Sequence, residues 1–304
     1  MRGVLKDALK ERNFAFREDI STATLSTFRI GGKAALVIEP SCTGELIESV
    51  MLCERFCLPY AVIGRGSNIL FGDQDIETVL IRTSGLDAVK YFPDGRIHAL
   101  CGVSLGRLAY LAAREGLRGL CFAAGIPGSV GGAVYMNAGT HAGDLSGVVE
   151  WAEVLFPKTG EIKTLFNQEL SFSYRKSFFQ AENAVLIAAT LKLLPDADPA
   201  KLFGEMRELG LARKAAQPLN LPSAGSVFRK PSPDIAVSKI IDELGFKGKR
   251  IGGAEVSQKH AGFIVNLGGA TARDVHDLIE DIQNTVEREK GFRPIPEIRF
   301  IPEP

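Results

Sequence analysis

The stretch 123–139, reading AAGIPGSVGGAVYMNAG, carries five glycines: Gly125, Gly128, Gly131, Gly132 and Gly139. Glycine exposes its backbone N–H and tolerates positive φ, so such a loop wraps closely around a ligand. Successive N–H groups in such turns form a concavity suited to a diphosphate. Pro127 stiffens the loop, and the apolar Val130, Val134 and Met136 inside it favour a buried cofactor cradle over a surface turn. A second glycine turn, Gly64-Arg65-Gly66-Ser67-Asn68, directly follows the apolar run 60–63. A dinucleotide fingerprint needs a third glycine where Ile69 stands, and no clear helix pattern follows, which argues against a Rossmann domain. The turn reads equally as plain chain reversal or as donors to phosphate. Near the N-terminus, Gly31-Gly32-Lys33 fails as a P-loop because Thr27 occupies the place of its first glycine.

The elements around these loops alternate. The spacing predicts a short helix and lead-in over 1–20, strands over 34–40, 60–64, 79–82 and 97–102, and helices over 45–57 and 105–115. The segment 157–160, Pro-Lys-Thr-Gly, joins two strand-like runs as a hairpin, and 184–194 is a long β-rich run. Pro195-Asp-Ala-Asp-Pro199 marks a boundary, with Asp198 as cap and Pro199 at the first position of a helix. Beyond it come a second polar loop over 221–233, a helix over 235–244, a strand over 262–267 and a last strand over 298–301. Thr271 and Asp274 form a capping box. The helix they open presents Val275, Leu278, Ile279, Ile282 and Val286 on one face.

Composition limits the classes of function. The chain has 304 residues, 45% of them hydrophobic, and 36 basic residues balance 36 acidic ones. That balance gives no overall field for nucleic acid or an anionic membrane. No apolar run approaches the roughly 20 residues that span a bilayer, and the charged N-terminus lacks a signal core, which points to the cytoplasm. Cys42, Cys53, Cys57, Cys101 and Cys121 show no metal-ligand spacing and read as buried, reduced thiols; no metal is expected.

Several motifs occur together and in order: the Gly64–Asn68 turn, Gly125-Ile-Pro-Gly-Ser-Val-Gly-Gly with Met136-Asn-Ala-Gly, Ser173-Tyr-Arg-Lys-Ser, Ser223-Ala-Gly-Ser-Val-Phe, Lys259-His-Ala-Gly-Phe and Pro296-Glu-Ile-Arg-Phe. With this joint spacing the chain resembles the UDP-N-acetylenolpyruvoylglucosamine reductase (MurB) family over nearly its whole length. It resembles the shorter branch, since no extra segment follows Ser173-Tyr-Arg. The resemblance implies an α+β fold: an FAD-binding domain of the PCMH or vanillyl-alcohol-oxidase type over 21–195, and a smaller substrate domain over 196–304. It implies reduction of an enolpyruvyl ether of UDP-N-acetylglucosamine to the lactyl ether with NADPH, in peptidoglycan precursor synthesis, by a cytoplasmic monomer.

On residue type alone, Arg175 is a surface arginine, Ser226 a turn serine and Glu297 a strand-end glutamate. The resemblance reassigns them. Arg175 matches the family's carboxylate-binding arginine, Ser226 its proton donor and Glu297 its second acid. For FAD, the resemblance points to Gly64, Arg65, Gly66, Ser67 and Asn68 and to Gly125, Pro127, Gly128, Ser129, Gly131 and Gly132 for the diphosphate, with Asn137, Ala138 and Gly139 near the flavin. Tyr174, Arg229, Lys230, Lys259 and His260 are the substrate candidates. Lys230 departs from the family, which often carries Asn there.

Overall fold

The computed structural model describes residues 2–232 and 235–302. Met1, Pro233, Asp234, Glu303 and Pro304 lie outside them, Pro233 being the expected end of the second polar loop. The chain builds two compact units, neither of them contiguous. The first holds the chain up to Glu18, Leu36–Arg65 and Thr78–Ala212; the second holds Asp19–Ala35, Gly66–Glu77 and the chain from Arg213 onward.

The first unit carries helices α1 (Arg2–Glu11), α2 (Thr43–Arg55), α3 (Leu105–Arg114) and α4 (Val130–Met136), and most of α5 (Pro199–Ala216). In α3, Leu105, Leu108, Ala109, Ala112 and Ala113 recur at helical spacing and are all buried, which is what selects the helix over other local structure. A five-stranded antiparallel sheet runs in the order Glu161–Phe166, Val149–Phe156, Val185–Lys192, Arg96–Leu100, Val89–Tyr91. The expected hairpin closes with Phe156 opposite Glu161. Three strands pair in parallel, Val79–Arg82 lying between Lys33–Ile38 and Tyr60–Ile63. Asp198 caps α5 as expected, its carboxylate accepting from the Ala200 N–H at 2.9 Å.

The second unit carries α6 (Val237–Glu243), α7 (Ala272–Lys290), a three-stranded antiparallel sheet of Arg250–Ile251, Ala254–Val256 and Ile264–Asn266, and a parallel pair of Ile69–Phe71 with Arg299–Ile301. The capping box at α7 forms: Thr271 Oγ1 accepts from the Asp274 N–H at 3.0 Å, and Asp274 accepts from the Thr271 N–H at 2.9 Å. Val275, Leu278, Ile279, Ile282 and Val286 are all buried.

The result is the expected mixture of α and β, with three departures. First, the division does not follow a single cut at 195/196. Phe28, Ile30 and Leu70 are buried in the core of Val227, Ile241, Val275 and Ile298. Asn266 Nδ2 donates to the carbonyls of Phe28 and Arg29 at 3.2 and 3.3 Å, and Asp73 accepts from the first N–H groups of α7, Ala272 at 2.7 Å and Arg273 at 3.0 Å. These contacts bind two early segments to the late core. Second, the glycine stretch is half helix. Ser129 caps α4, its Oγ accepting from the Gly132 N–H at 3.3 Å, and Asn137 ends it in the left-handed region at φ 42°. Third, Cys42 and Cys57 are exposed, whereas Cys53, Cys101 and Cys121 are buried; Cys57 lies past the end of α2 at φ 50°, turned out of the helical face that buries Cys53.

Candidate active site

The start of the first glycine motif, Gly64, meets the second motif in the first unit. A β-carbon on Gly64 would stand 2.1 Å from Ser129 Oγ, so only glycine lets the first turn approach the cap of α4. The second loop is laced to the backbone at the end of the sheet: Val130 N–H donates to Val103 O at 2.8 Å, Gly131 N–H to Cys101 O at 2.7 Å, and Leu105 N–H to Gly128 O at 3.1 Å. This close approach favours glycine at 131, where a β-carbon would lie a tight 3.1 Å from Cys101 O. The N–H groups of Val130, Gly131 and Gly132 are thus taken up by protein acceptors. Those of Gly125, Gly128 and Ser129 have no backbone acceptor among the described residues. This donor set, next to Gly64 and Arg65, suits an anionic diphosphate. Gly125 and Pro127 are exposed beside it.

At the far end of α4 the geometry is set by Asn137, which is 2% exposed. Its Nδ2 donates to Ser173 O at 3.0 Å and its Oδ1 accepts from the Ser146 N–H at 2.9 Å. Ala138 and Gly139 follow it. Ser177 Oγ and Gln180 Nε2 both donate to Tyr135 O, at 2.7 and 2.9 Å, and Gln180 Nε2 also reaches Arg175 O at 3.0 Å. The loop carrying Tyr174 and Arg175 is therefore bolted to the end of α4. Arg175 sits at φ 56°, a conformation that non-glycine residues rarely hold without support. Its Nη2 donates to Gly139 O at 3.0 Å, and its guanidinium lies 5.2 Å over the Tyr174 ring. Ser177 closes the Ser173-Tyr-Arg-Lys-Ser motif but is given no role by it, and Gln180 escapes the motif reading; the signal that marks both is two polar side chains flanking the aromatic pair Phe178-Phe179. Asn137→Ala is expected to destabilise the protein by roughly 2 kcal/mol, since two partners lose their hydrogen bonds. A lowered thermal midpoint, accompanied by weaker retention of any flavin, checks this.

The second unit positions the other candidates. Ser226–Arg229 runs between two neighbours. Val227 N–H donates to Gly262 O at 2.8 Å on one side; on the other, Glu297 N–H donates to Val227 O at 2.6 Å and Arg229 N–H to Ile295 O at 3.0 Å. Ser226 and Glu297 are thereby held one residue apart across a backbone pairing. Asn68 joins them, its Nδ2 donating to Glu297 O at 3.1 Å and its carbonyl accepting from the Arg299 N–H at 2.9 Å. Gly66 and Ser67 precede it in the same unit, so the boundary between units falls inside the Gly64–Asn68 turn. Lys230 is exposed, and Lys259 Nζ donates to Lys214 O at 2.5 Å. His260 is a neutral group: burial pushes its pKa down, and its Nδ1 accepts from the Gly262 N–H at 3.1 Å, leaving the proton on Nε2. In this state it offers a hydrogen-bond donor at Nε2 and no positive charge.

Comparison with known proteins bears on this arrangement. The chain is 42% identical over 297 residues to the UDP-N-acetylenolpyruvoylglucosamine reductase of Caldicellulosiruptor bescii, covering 97% of this chain and 93% of that protein. The chain belongs to the UDP-N-acetylenolpyruvoylglucosamine reductase family. A second family member, from Anoxybacillus flavithermus, is 42% identical over 93% of each chain. The model of the C-terminal domain of UDP-N-acetylenolpyruvoylglucosamine reductase matches residues 217–301, and an FAD binding domain model matches 34–165. The crystal structure of UDP-N-acetylenolpyruvylglucosamine reductase (MurB) from Thermus caldophilus superposes with a TM-score of 0.79 at 32% identity, covering 96% of this chain and 99% of that one. This family member is an FAD-dependent oxidoreductase. Its FAD-binding match spans the Gly64 turn and the whole glycine stretch; its C-terminal match spans Ser226, His260 and Glu297.

Proposed function

We propose that this chain reduces UDP-N-acetylglucosamine enolpyruvate to UDP-N-acetylmuramate at the expense of NADPH, in the synthesis of peptidoglycan precursors. FAD, when bound, would supply the hydride-transfer chemistry that links NADPH to the alkene. The unclaimed N–H groups of Gly125, Gly128 and Ser129 fit its diphosphate. Adding hydride to an alkene that bears a carboxylate builds enolate charge on that carboxylate. Arg175 receives it: a guanidinium grips a carboxylate by two parallel bonds and keeps its charge at any working pH. One well-placed donor of this kind lowers such a barrier by about 3–4 kcal/mol. Ser226 then gives its proton to the carbon next to the carboxylate, and Glu297 stabilises or protonates the intermediate. A serine hydroxyl is a poor acid and needs a dry, cation-rich setting to act.

The observation that supports this reading most is the backbone pairing of Val227 with Glu297, which runs the segment that carries Ser226 alongside the segment that carries Glu297. The same reading places the enzyme in the cytoplasm as a monomer, with Tyr174, Arg229, Lys230 and Lys259 toward the nucleotide of the substrate. The test is the visible spectrum of the purified protein. We expect a flavin band that bleaches with NADPH and returns on addition of the enolpyruvyl substrate. A colourless protein that acquires no flavin overturns the reading.

A further inference from the structure

Tyr174 and Arg175 form the two-residue tip of a backbone pairing, in which Ser173 N–H donates to Lys176 O and Lys176 N–H to Ser173 O, each at 3.1 Å. Arg175, the second tip residue, has φ 56°. Glycine holds that conformation without strain; an arginine holds it only where its surroundings over-determine it. Rotating this backbone out of the left-handed region would turn the Arg175 carbonyl and re-aim the guanidinium together.

The Arg175 carbonyl is held by Gln180. A primary amide has two N–H donors, and Gln180 Nε2 lies 2.9 Å from Tyr135 O and 3.0 Å from Arg175 O, one acceptor for each proton. Gln180 is itself anchored: Phe179 before it is buried in the first unit's core, and the Gln180 N–H donates to Ser177 O at 3.1 Å. The guanidinium refers to the same end of α4, through Nη2 on Gly139 O. Ser177 Oγ shares the Tyr135 acceptor at 2.7 Å, so the loop stays attached to α4 even without the Gln180 amide. What Gln180 adds is its bond to Arg175. We infer that Gln180 is a positioning residue for the reduction: it fixes the strained peptide of Arg175 and, through it, where the guanidinium stands. This role rests on the reductase reading, under which Arg175 takes the charge that develops on the substrate's carboxylate. Misplacing such a group by about 1 Å costs on the order of 10²-fold in rate.

The test is Gln180→Met, which keeps an unbranched side chain and removes both donors, made in the full-length protein alone and together with Arg175→Ala. We expect Gln180→Met to slow reoxidation of the reduced flavin by the enolpyruvyl substrate about 10- to 100-fold, in kcat more than in KM. NADPH still reduces the flavin at the wild-type rate, and flavin per protein is unchanged. In the Arg175→Ala background the same substitution alters reoxidation by less than about twofold, because the group it positions is gone. Gln180→Glu, which keeps the shape but has no donor when ionised, reproduces the selective loss and separates it from any misfit of the Met side chain. Equal slowing in both backgrounds, or a loss of flavin and thermal midpoint in step with the loss of rate, makes Gln180 a structural residue and overturns the inference. So does a Gln180→Met enzyme that reoxidises at the wild-type rate beside a slow Arg175→Ala enzyme. Wild-type reoxidation in Arg175→Ala overturns the role of Arg175 in the reductase reading, and the role of Gln180 with it.

Discussion

Ser226→Ala is expected to retain flavin and to accept reduction by NADPH at the wild-type rate, while reoxidation by the enolpyruvyl substrate slows by about 10²–10⁴-fold, the usual weight of a general acid. The split arises because hydride delivery to the flavin needs no proton from Ser226, whereas completing the alkene reduction does. The variant should fold normally. Ser226 is held by its backbone, through the pairing with Phe263 and the two bonds of Val227, and these survive loss of a hydroxyl. Stopped-flow mixing of the pre-reduced variant with substrate decides the matter: fast return of the flavin band removes Ser226 from the role of proton donor.

Gly66→Ala acts by the opposite route, through structure. Gly66 has φ 65°, and a β-carbon there would stand 2.1 Å from Leu25 O and 2.7 Å from Ser26 Cα. The left-handed conformation alone costs an alanine about 1–2 kcal/mol. Both atoms in the way belong to backbone, so relief requires shifting the chain that also takes the Gly66 carbonyl at Thr27 N–H, 3.2 Å. A total of about 3 kcal/mol or more is expected, at the severe end for a single substitution. The thermal midpoint falls, and the full-length variant purifies with little flavin. A yellow variant with an unchanged midpoint would show that the turn yields more easily than its geometry implies.

Much of this molecule was legible from local pattern. The capping box at Thr271, the apolar face of α7, the hairpin closing at Phe156 and Glu161, and the Asp198 cap all depend on residues a few positions apart, where spacing alone carries the information. The helix α4 was hidden because Gly131 and Gly132 open it, and glycine costs a helix about 1 kcal/mol each. Burial of Val130, Val134 and Met136, with the Ser129 cap, outweighs that cost. Neither the membership of Phe28, Ile30 and Leu70 in the second core nor the bonds of Gln180 to Tyr135 and Arg175 was readable, because both join residues by contacts that no periodicity encodes. The candidate site shows the same split. Arg175, Ser226 and Glu297 stand out by joint motif resemblance, while their individual residue types say little. Asn137 belonged to a motif, but its part in fixing the Arg175 loop emerges only from its two side-chain bonds.

The interleaved chain path has a consequence for biosynthesis. Phe28, Ile30 and Leu70 leave the ribosome long before α7 and the strand Arg299–Ile301 exist to cover them. Domains generally fold as units as they emerge, so the first unit is able to close while two of its inserted segments still wait, apolar and uncovered, for the end of translation. Nascent chains stalled before residue 272 should accordingly be bound by chaperones at these segments, and released once the C-terminal strand is made.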